Sequence, residues 1–268
     1  MAKIRIANAP CSWGTLEIEG AEGDTIVYGR MLDELVDCGY TGTELGDWGY
    51  MPTDPAELHA ELAQRELTLL GAFVPVALKN PACHPAGEDM ALKTSKLLAA
   101  VAEKGRYSKP PFLVLADQNG SEPLRTKNAG SIKPAMALSA EEWNPFCHGA
   151  NRIARLVKDQ FGLPTVFHHH CAGYVETPDE IARFLDLTDP QALGLVFDTG
   201  HYAYGSGAND PNTVIQALDD LADRIWYVHF KDCHPEIAER ARREGWDYLE
   251  AVRRGVFCEL GQGLVWSS

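Results

Sequence analysis

Short apolar runs alternate with amphipathic stretches along the whole chain. Seven runs have the length and flanking turn residues of buried strands: Ile4–Ala9, Gly42–Leu45, Leu67–Val74, Phe112–Ala116, Pro164–Phe167, Leu193–Phe197 and Ile225–His229. Helical periodicity occupies residues 25–38, 54–65, 86–104, 140–160, 177–186, 211–222 and 235–245 between them. Thr53-Asp54-Pro55 and Thr177-Pro178-Asp179-Glu180 each supply a cap residue, an early Pro and first-turn acids, which predicts helix starts there. Regular strand–helix alternation predicts an α/β fold with a parallel sheet. Residues 117–139 break the rhythm. They read as a long loop after the fourth strand, either covering a site or making a disordered surface excursion.

Polar clusters directly follow three of the apolar runs. They are His168-His169-His170, Asp198-Thr199-Gly200-His201 and His229-Phe230-Lys231-Asp232. Chemistry-bearing residues after many different strands favour a closed TIM-type barrel over an open doubly wound sheet, whose ligand groups gather at one switch point. A closed barrel needs eight strands, and the pattern supplies seven.

Asp198 and His229 at strand ends suit a divalent ion, since carboxylates take hard cations and imidazole takes the transition metals. Either residue alone is more simply a helix cap or a core histidine; the pair in register favours the metal. In a strand His168 and His170 share one face and His169 takes the other, so His168 and His170 are expected at the barrel mouth. Glu176 either completes a metal shell or serves the following helix as an N-terminal acid. His201 is a candidate acid/base, and Lys231 a candidate for holding a substrate oxygen. Asn8-Ala9-Pro10-Cys11-Ser12-Trp13-Gly14 and Glu44-Leu45-Gly46-Asp47-Trp48-Gly49 follow the first two strands. There Trp13 and Trp48 offer apolar walls for a polyol ring, or simple packing.

Composition narrows the classes. The 268 residues are 45% hydrophobic, which fits one large globular domain over 1–268. A formal charge of −14 argues against nucleic acid or an anionic membrane as partner. The seven Cys are scattered without a CxxC pair, which suits free thiols in a reducing cytoplasm. Neither a signal-peptide core nor a spanning apolar run is present, so a soluble cytoplasmic location is expected.

Taken together, Ala9-Pro10-Cys11-Ser12-Trp13-Gly14, Glu44-Leu45-Gly46, His168-His169-His170, Val175-Glu176-Thr177, Asp198-Thr199-Gly200-His201 and Val228-His229-Phe230-Lys231-Asp232 resemble the sugar phosphate isomerase/epimerase superfamily of xylose-isomerase-like TIM barrels. Within it they look most like the inosose (2-keto-myo-inositol) dehydratases. The resemblance implies a divalent metal, Mn²⁺ or Co²⁺ with Mg²⁺ as a third choice, no nucleotide cofactor, and a small keto-polyol or sugar as substrate. Asp198 and His229 match the sixth- and seventh-strand ligands. The fifth-strand position holds His168, so either His168 or Glu176 takes that role, giving Glu176, Asp198 and His229 as the expected metal set. The resemblance further implies that the metal polarises the ketone, with His170, His201 and Lys231 as the proton-transfer candidates, and that Trp13, Glu44, Trp48 and His168 contact the substrate.

The resemblance also implies an eighth strand bearing a Glu ligand after Phe257-Cys258-Glu259-Leu260-Gly261-Gln262-Gly263. The chain ends at Ser268, which predicts a barrel truncated before that strand, with a weakened metal site and edges that a second copy could cover. Glu259 is not the family ligand by position. Isomerase or epimerase chemistry on the same barrel, or an inactive barrel that binds a sugar or a partner, remain alternatives.

Overall fold

The computed structural model describes residues 6–14 and 26–266. The strands are β1 (Gly42–Glu44), β2 (Thr68–Val76), β3 (Phe112–Asp117), β4 (Thr165–His168), β5 (Leu193–Asp198), β6 (Ile225–His229), β7 (Asp232–Cys233) and β8 (Phe257–Cys258). The helices are α1 (Tyr28–Asp37), α2 (Pro55–Ala63), α3 (His84–Lys104), α4 (Pro123–Lys127), α5 (Ala140–Phe161), α6 (Pro178–Leu187), α7 (Thr199–Ser206), α8 (Pro211–Asp220), α9 (Pro235–Glu244) and α10 (Tyr248–Arg253). Strands β1 to β6 form one sheet in chain order, and β7–β8 form a separate antiparallel pair. The β1–β2 and β5–β6 pairs are parallel, as helical crossovers require.

Six of the seven expected strands form within a residue or two of their expected bounds. The exception is Ile4–Ala9. Ile4 and Arg5 lie outside the described residues, and the remainder contributes a single parallel bridge, Asn8 to Thr43. The two helix-start signals act as expected. Asp54 accepts from Ala56 and Glu57 N–H, and Thr177 and Glu180 form a reciprocal capping box.

The chain divides into two compact units. One is the described part of Met1–Val74 with Pro85–Val114 and Ile153–Thr165; the other is Pro75–His84, Leu115–Arg152 and the described part of Val166–Ser268. In the first, α1 buries Met31, Leu32 and Leu35, and α2 buries Leu58 and Leu62. In the second, Phe146, Phe167 and Phe184 form an aromatic core, with Phe167 and Phe184 centroids 4.1 Å apart. Each such side chain contributes about 1.5–3 kcal/mol by leaving water.

The 117–139 segment is ordered rather than a loose excursion. It contains α4, whose Arg125 is 1% exposed. The guanidinium donates to both Glu180 carboxylate oxygens at 2.8 and 2.9 Å and, through Nε, to the Gly173 carbonyl at 2.8 Å. This ties the segment to the loop after β4. That loop carries two non-glycine residues in the left-handed region, Ala172 (φ 69°) and Val175 (φ 65°).

Farther along, the buried Asp232 carboxylate gathers four backbone N–H groups, from Cys233, Gly261, Gly263 and Val265, at 2.8–3.0 Å. Gly263 is required there, since a Cβ would sit 2.4 Å from the Asp232 carboxylate. Among the described residues, no helix is long and apolar enough to cross a membrane.

Candidate functional site

The site is built on Asp198, which ends β5 and is fully buried. Its two oxygens have different partners. Oδ1 accepts the His201 N–H at 2.8 Å and so caps α7, while Oδ2 faces Lys231 Nζ at 3.0 Å, His168 Nε2 at 3.5 Å and His229 Nδ1 at 3.9 Å. The helix-cap and metal readings of Asp198 are therefore compatible. His169 points the other way, and its Nε2 accepts the Asp198 backbone N–H at 3.1 Å, fixing the residue from behind.

Gly200 and Thr199 explain the Asp-Thr-Gly-His motif. The Thr199 hydroxyl donates to the Lys231 carbonyl at 2.6 Å and accepts its N–H at 3.0 Å, locking the start of α7 to the end of β6. A Cβ on Gly200 would meet the Lys231 side chain at 2.7 Å, so glycine makes room for the lysine to reach Asp198.

Among the described residues, one group of metal-type side chains has its ligand atoms mutually within 4.8 Å: His168, Asp198 and His229. Burial is the largest single influence and works to raise the Asp198 carboxyl, but the Lys231 ammonium, His201 and His168 together outweigh it and hold the group well below the usual carboxylate range. Burial holds His168 neutral, far below the usual imidazole range. A permanently anionic carboxylate between two imidazoles is a donor set that fits a divalent transition ion.

His170 and His201 stack beside this group, with centroids 3.8 Å apart, and His168 lies 5.3 Å from the His170 ring. Burial lowers both, His170 to about 3 and His201 well below the usual range. Their contacts differ. His170 Nδ1 lies 2.6 Å from the Cys171 carbonyl and 3.2 Å from the Asn119 amide nitrogen; the shorter contact favours the proton on Nδ1 and the lone pair on Nε2. His201 Nδ1 accepts the Cys171 N–H at 3.5 Å, which puts its proton on Nε2. Phe257 closes over His201 at 4.7 Å and under the Lys231 ammonium at 5.2 Å.

Glu176 stands apart from the metal-type group. Its carboxylate accepts backbone N–H groups of Gly130 at 2.6 Å and Ala172 at 3.0 Å, so the acid braces the strained loop. His168 is the third member of that group in its place. Burial, only partly offset by those amides, raises the Glu176 carboxyl to about 7. Glu259 is exposed.

In the first unit, Glu44 is buried at the end of β1, the Trp13 indole N–H donates to Glu34 at 2.7 Å, and Trp48 lies under the Lys93 ammonium at 4.1 Å. Two residues near the imidazoles escape the sequence reading. Asn119 meets His170 Nδ1 at 3.2 Å, and Asp117 ends β3 fully buried. Asp117 follows an apolar run just as Asp198 does, and that was its available signal.

The chain is 33% identical to an inosose dehydratase of Geobacillus kaustophilus, covering 98% of this chain and 80% of that protein. It is 30% identical to an inosose dehydratase of Bacillus velezensis, covering 96% and 80%. Among solved structures, it is similar to a xylose isomerase-like TIM barrel/4-hydroxyphenylpyruvate dioxygenase fusion protein, with TM-score 0.66 and 18% identity over 98% of this chain and 35% of that one. An IolI protein with a zinc atom bound is similar at TM-score 0.59 and 12% identity, covering 86% and 74%. Residues 32–267 match the xylose isomerase-like TIM barrel family, and the chain belongs to that family.

Proposed function

We propose that the protein dehydrates a keto-polyol such as scyllo-inosose in a metal-dependent reaction. One observation carries the reading: the ends of β4, β5 and β6 bring His168, Asp198 and His229 within coordination reach of each other, beside the stacked imidazoles of His170 and His201. The named relatives support the substrate class. A divalent ion held by these three side chains would supply Lewis-acid polarisation of the substrate ketone.

The chain's own groups account for the proton movements of a β-elimination. His170 Nε2, unprotonated and buried, takes the proton from the carbon next to the ketone. His201 Nε2–H donates a hydrogen bond to the hydroxyl on the following carbon, and the proton taken by His170 passes to that hydroxyl, so that water departs, a carbon–carbon double bond forms and both imidazoles end neutral. Lys231 places a positive charge where negative charge gathers on the keto oxygen. Asp198 holds Lys231 in position, and Thr199 fixes the backbone between them. Phe257 screens the pair from water on one side.

The test uses the full chain, treated with chelator, dialysed and reloaded with Mn²⁺ or Co²⁺. On addition of scyllo-inosose the unsaturated product should raise ultraviolet absorbance, and His229→Ala should abolish the rise. Absence of product with every divalent ion tried would refute the reading.

A further inference from the structure

The two oxygens of Asp198 are not equivalent toward a cation. Oδ1 is committed, because it accepts the His201 N–H at 2.8 Å and starts α7. Oδ2 is the oxygen left to ligate, and it faces His168 Nε2 at 3.5 Å and His229 Nδ1 at 3.9 Å. Lys231 Nζ lies against the same oxygen at 3.0 Å. Yet Oδ2 is buried and receives no well-aligned hydrogen bond among the described residues. The ammonium thus gives Oδ2 a counter-charge without filling its lone pairs, which are what a metal ion needs.

The backbone delivers Lys231 to this point. The β5–β6 register sets His229 opposite Asp198, and Lys231 follows two residues on. The Thr199 hydroxyl bonds both the carbonyl and the N–H of Lys231, and Gly200 leaves the space its side chain crosses. The Phe257 ring faces Nζ at 5.2 Å. The metal-type group holds two imidazoles and one carboxylate, so Lys231 neutralises the full negative charge that its three members offer an ion. A divalent ion there would share that single charge with the ammonium and be repelled by it, most strongly in a buried site. Conversely, a buried carboxylate with no cation beside it is costly, so the same ammonium supports the metal-free fold.

We propose that Lys231 sets the metal affinity of this chain: its ammonium is a resident counter-ion for Asp198 that keeps a divalent ion loosely held and exchangeable, and that balances the carboxylate when no ion is bound. The inference rests on the reading of His168, Asp198 and His229 as the metal group, and adds to it a residue that opposes binding.

Calorimetric titration of the chelator-treated full chain with Mn²⁺, without substrate, tests it. Lys231→Met should bind Mn²⁺ about tenfold or more tightly than the unaltered chain, whereas Lys231→Arg, which keeps the charge, should stay within about threefold of it. Metal-free Lys231→Met should unfold at a lower urea concentration, and saturating Mn²⁺ should raise its midpoint by more than it raises that of the unaltered chain. Should metal-free Lys231→Met lack a cooperative unfolding transition, Lys231→Gln, which also removes the charge, decides by the same titration. Unchanged or weaker Mn²⁺ binding in the uncharged variant overturns the proposal, as does equal tightening in Lys231→Arg, which would assign the effect to size. No Mn²⁺ binding by any of these chains overturns it together with the metal reading. Tightened binding in Lys231→Met by a protein whose unaltered chain does not dehydrate scyllo-inosose would overturn the dehydratase reading alone.

Discussion

Replacing Arg125 by Met removes the charge from a guanidinium that is 1% exposed and keeps most of its apolar stem. Three short hydrogen bonds go with it, two to the Glu180 carboxylate and one to the Gly173 carbonyl. Glu180 is left buried, still accepting the Glu176 and Thr177 N–H groups but without a counter-charge. Breaking such a pair from one side costs ~3–5 kcal/mol, a large share of the ~5–15 kcal/mol typical of a folded protein. Glu180→Gln in the same chain removes the stranded charge while keeping an acceptor for the two amides. The double variant should therefore recover ~2 kcal/mol relative to the sum of the singles. Urea unfolding of the four proteins at pH 7.5 closes the cycle. A cost below ~1 kcal/mol for Arg125→Met, or additivity within ~0.5 kcal/mol, would refute the idea that this pair anchors the 117–139 segment to the loop after β4.

Acid should destabilise the chelator-treated protein. His169 and His170 are held by burial at about 4 and about 3, and His168 and His201 also lie well below 6.5. The unfolded chain therefore binds the extra protons as pH falls below 6.5, at about 2 kcal/mol per imidazole by pH 5. Glu176 and Asp117, raised to about 7 and about 6, act in the opposite sense by about 3–4 kcal/mol together, so a net loss remains. A urea midpoint that is flat or rises from pH 7 to pH 5 would contradict this. Gly200→Ala should push Lys231 off Asp198 and lower kcat with little change in unfolding midpoint; full activity would show that the 3.0 Å contact is dispensable. Asp198→Asn keeps the oxygen that caps α7 but loses the anionic ligand. Mn²⁺ affinity by calorimetry should fall by more than the ~10–100-fold cost of a lost supporting bond, and unaltered affinity would remove Asp198 from the metal set.

The strands were legible because their apolar runs are short and sharply bounded, and α2 and α6 because their caps are written in side chains. Helix α7 was not legible. Thr199-Gly200-His201-Tyr202-Ala203-Tyr204-Gly205-Ser206 has no amphipathic stripe, since all of its residues through Gly205 are buried, and it starts only because Asp198 caps it. The candidate site shows the same division. His168, Asp198 and His229 follow from one rule, a chemistry-bearing residue at the end of an apolar run. Glu176 obeys proximity in sequence, but its carboxylate turns onto amides of Gly130 and Ala172, a contact spanning 46 positions for Gly130 that no local pattern encodes. Asp117 obeys the same rule one residue beyond the apolar run Phe112–Ala116, but the turn formers Gln118-Asn119-Gly120 that follow it give it the local pattern of a loop.

The loop between His170 and Glu176 holds Ala172 and Val175 at positive φ, where a β-branched side chain is a marked outlier. Each such residue costs about 1–3 kcal/mol, and glycine would sit there without strain. At Val175 that relief is cancelled, because the side chain is fully buried and leaving water is worth about 1.5–3 kcal/mol, whereas at Ala172 only one buried methyl is lost. A screen that ranks variants by melting temperature would therefore accept Gly at 172 and keep Val175. The strain at Val175 is held in place by the same burial that makes the residue hard to replace.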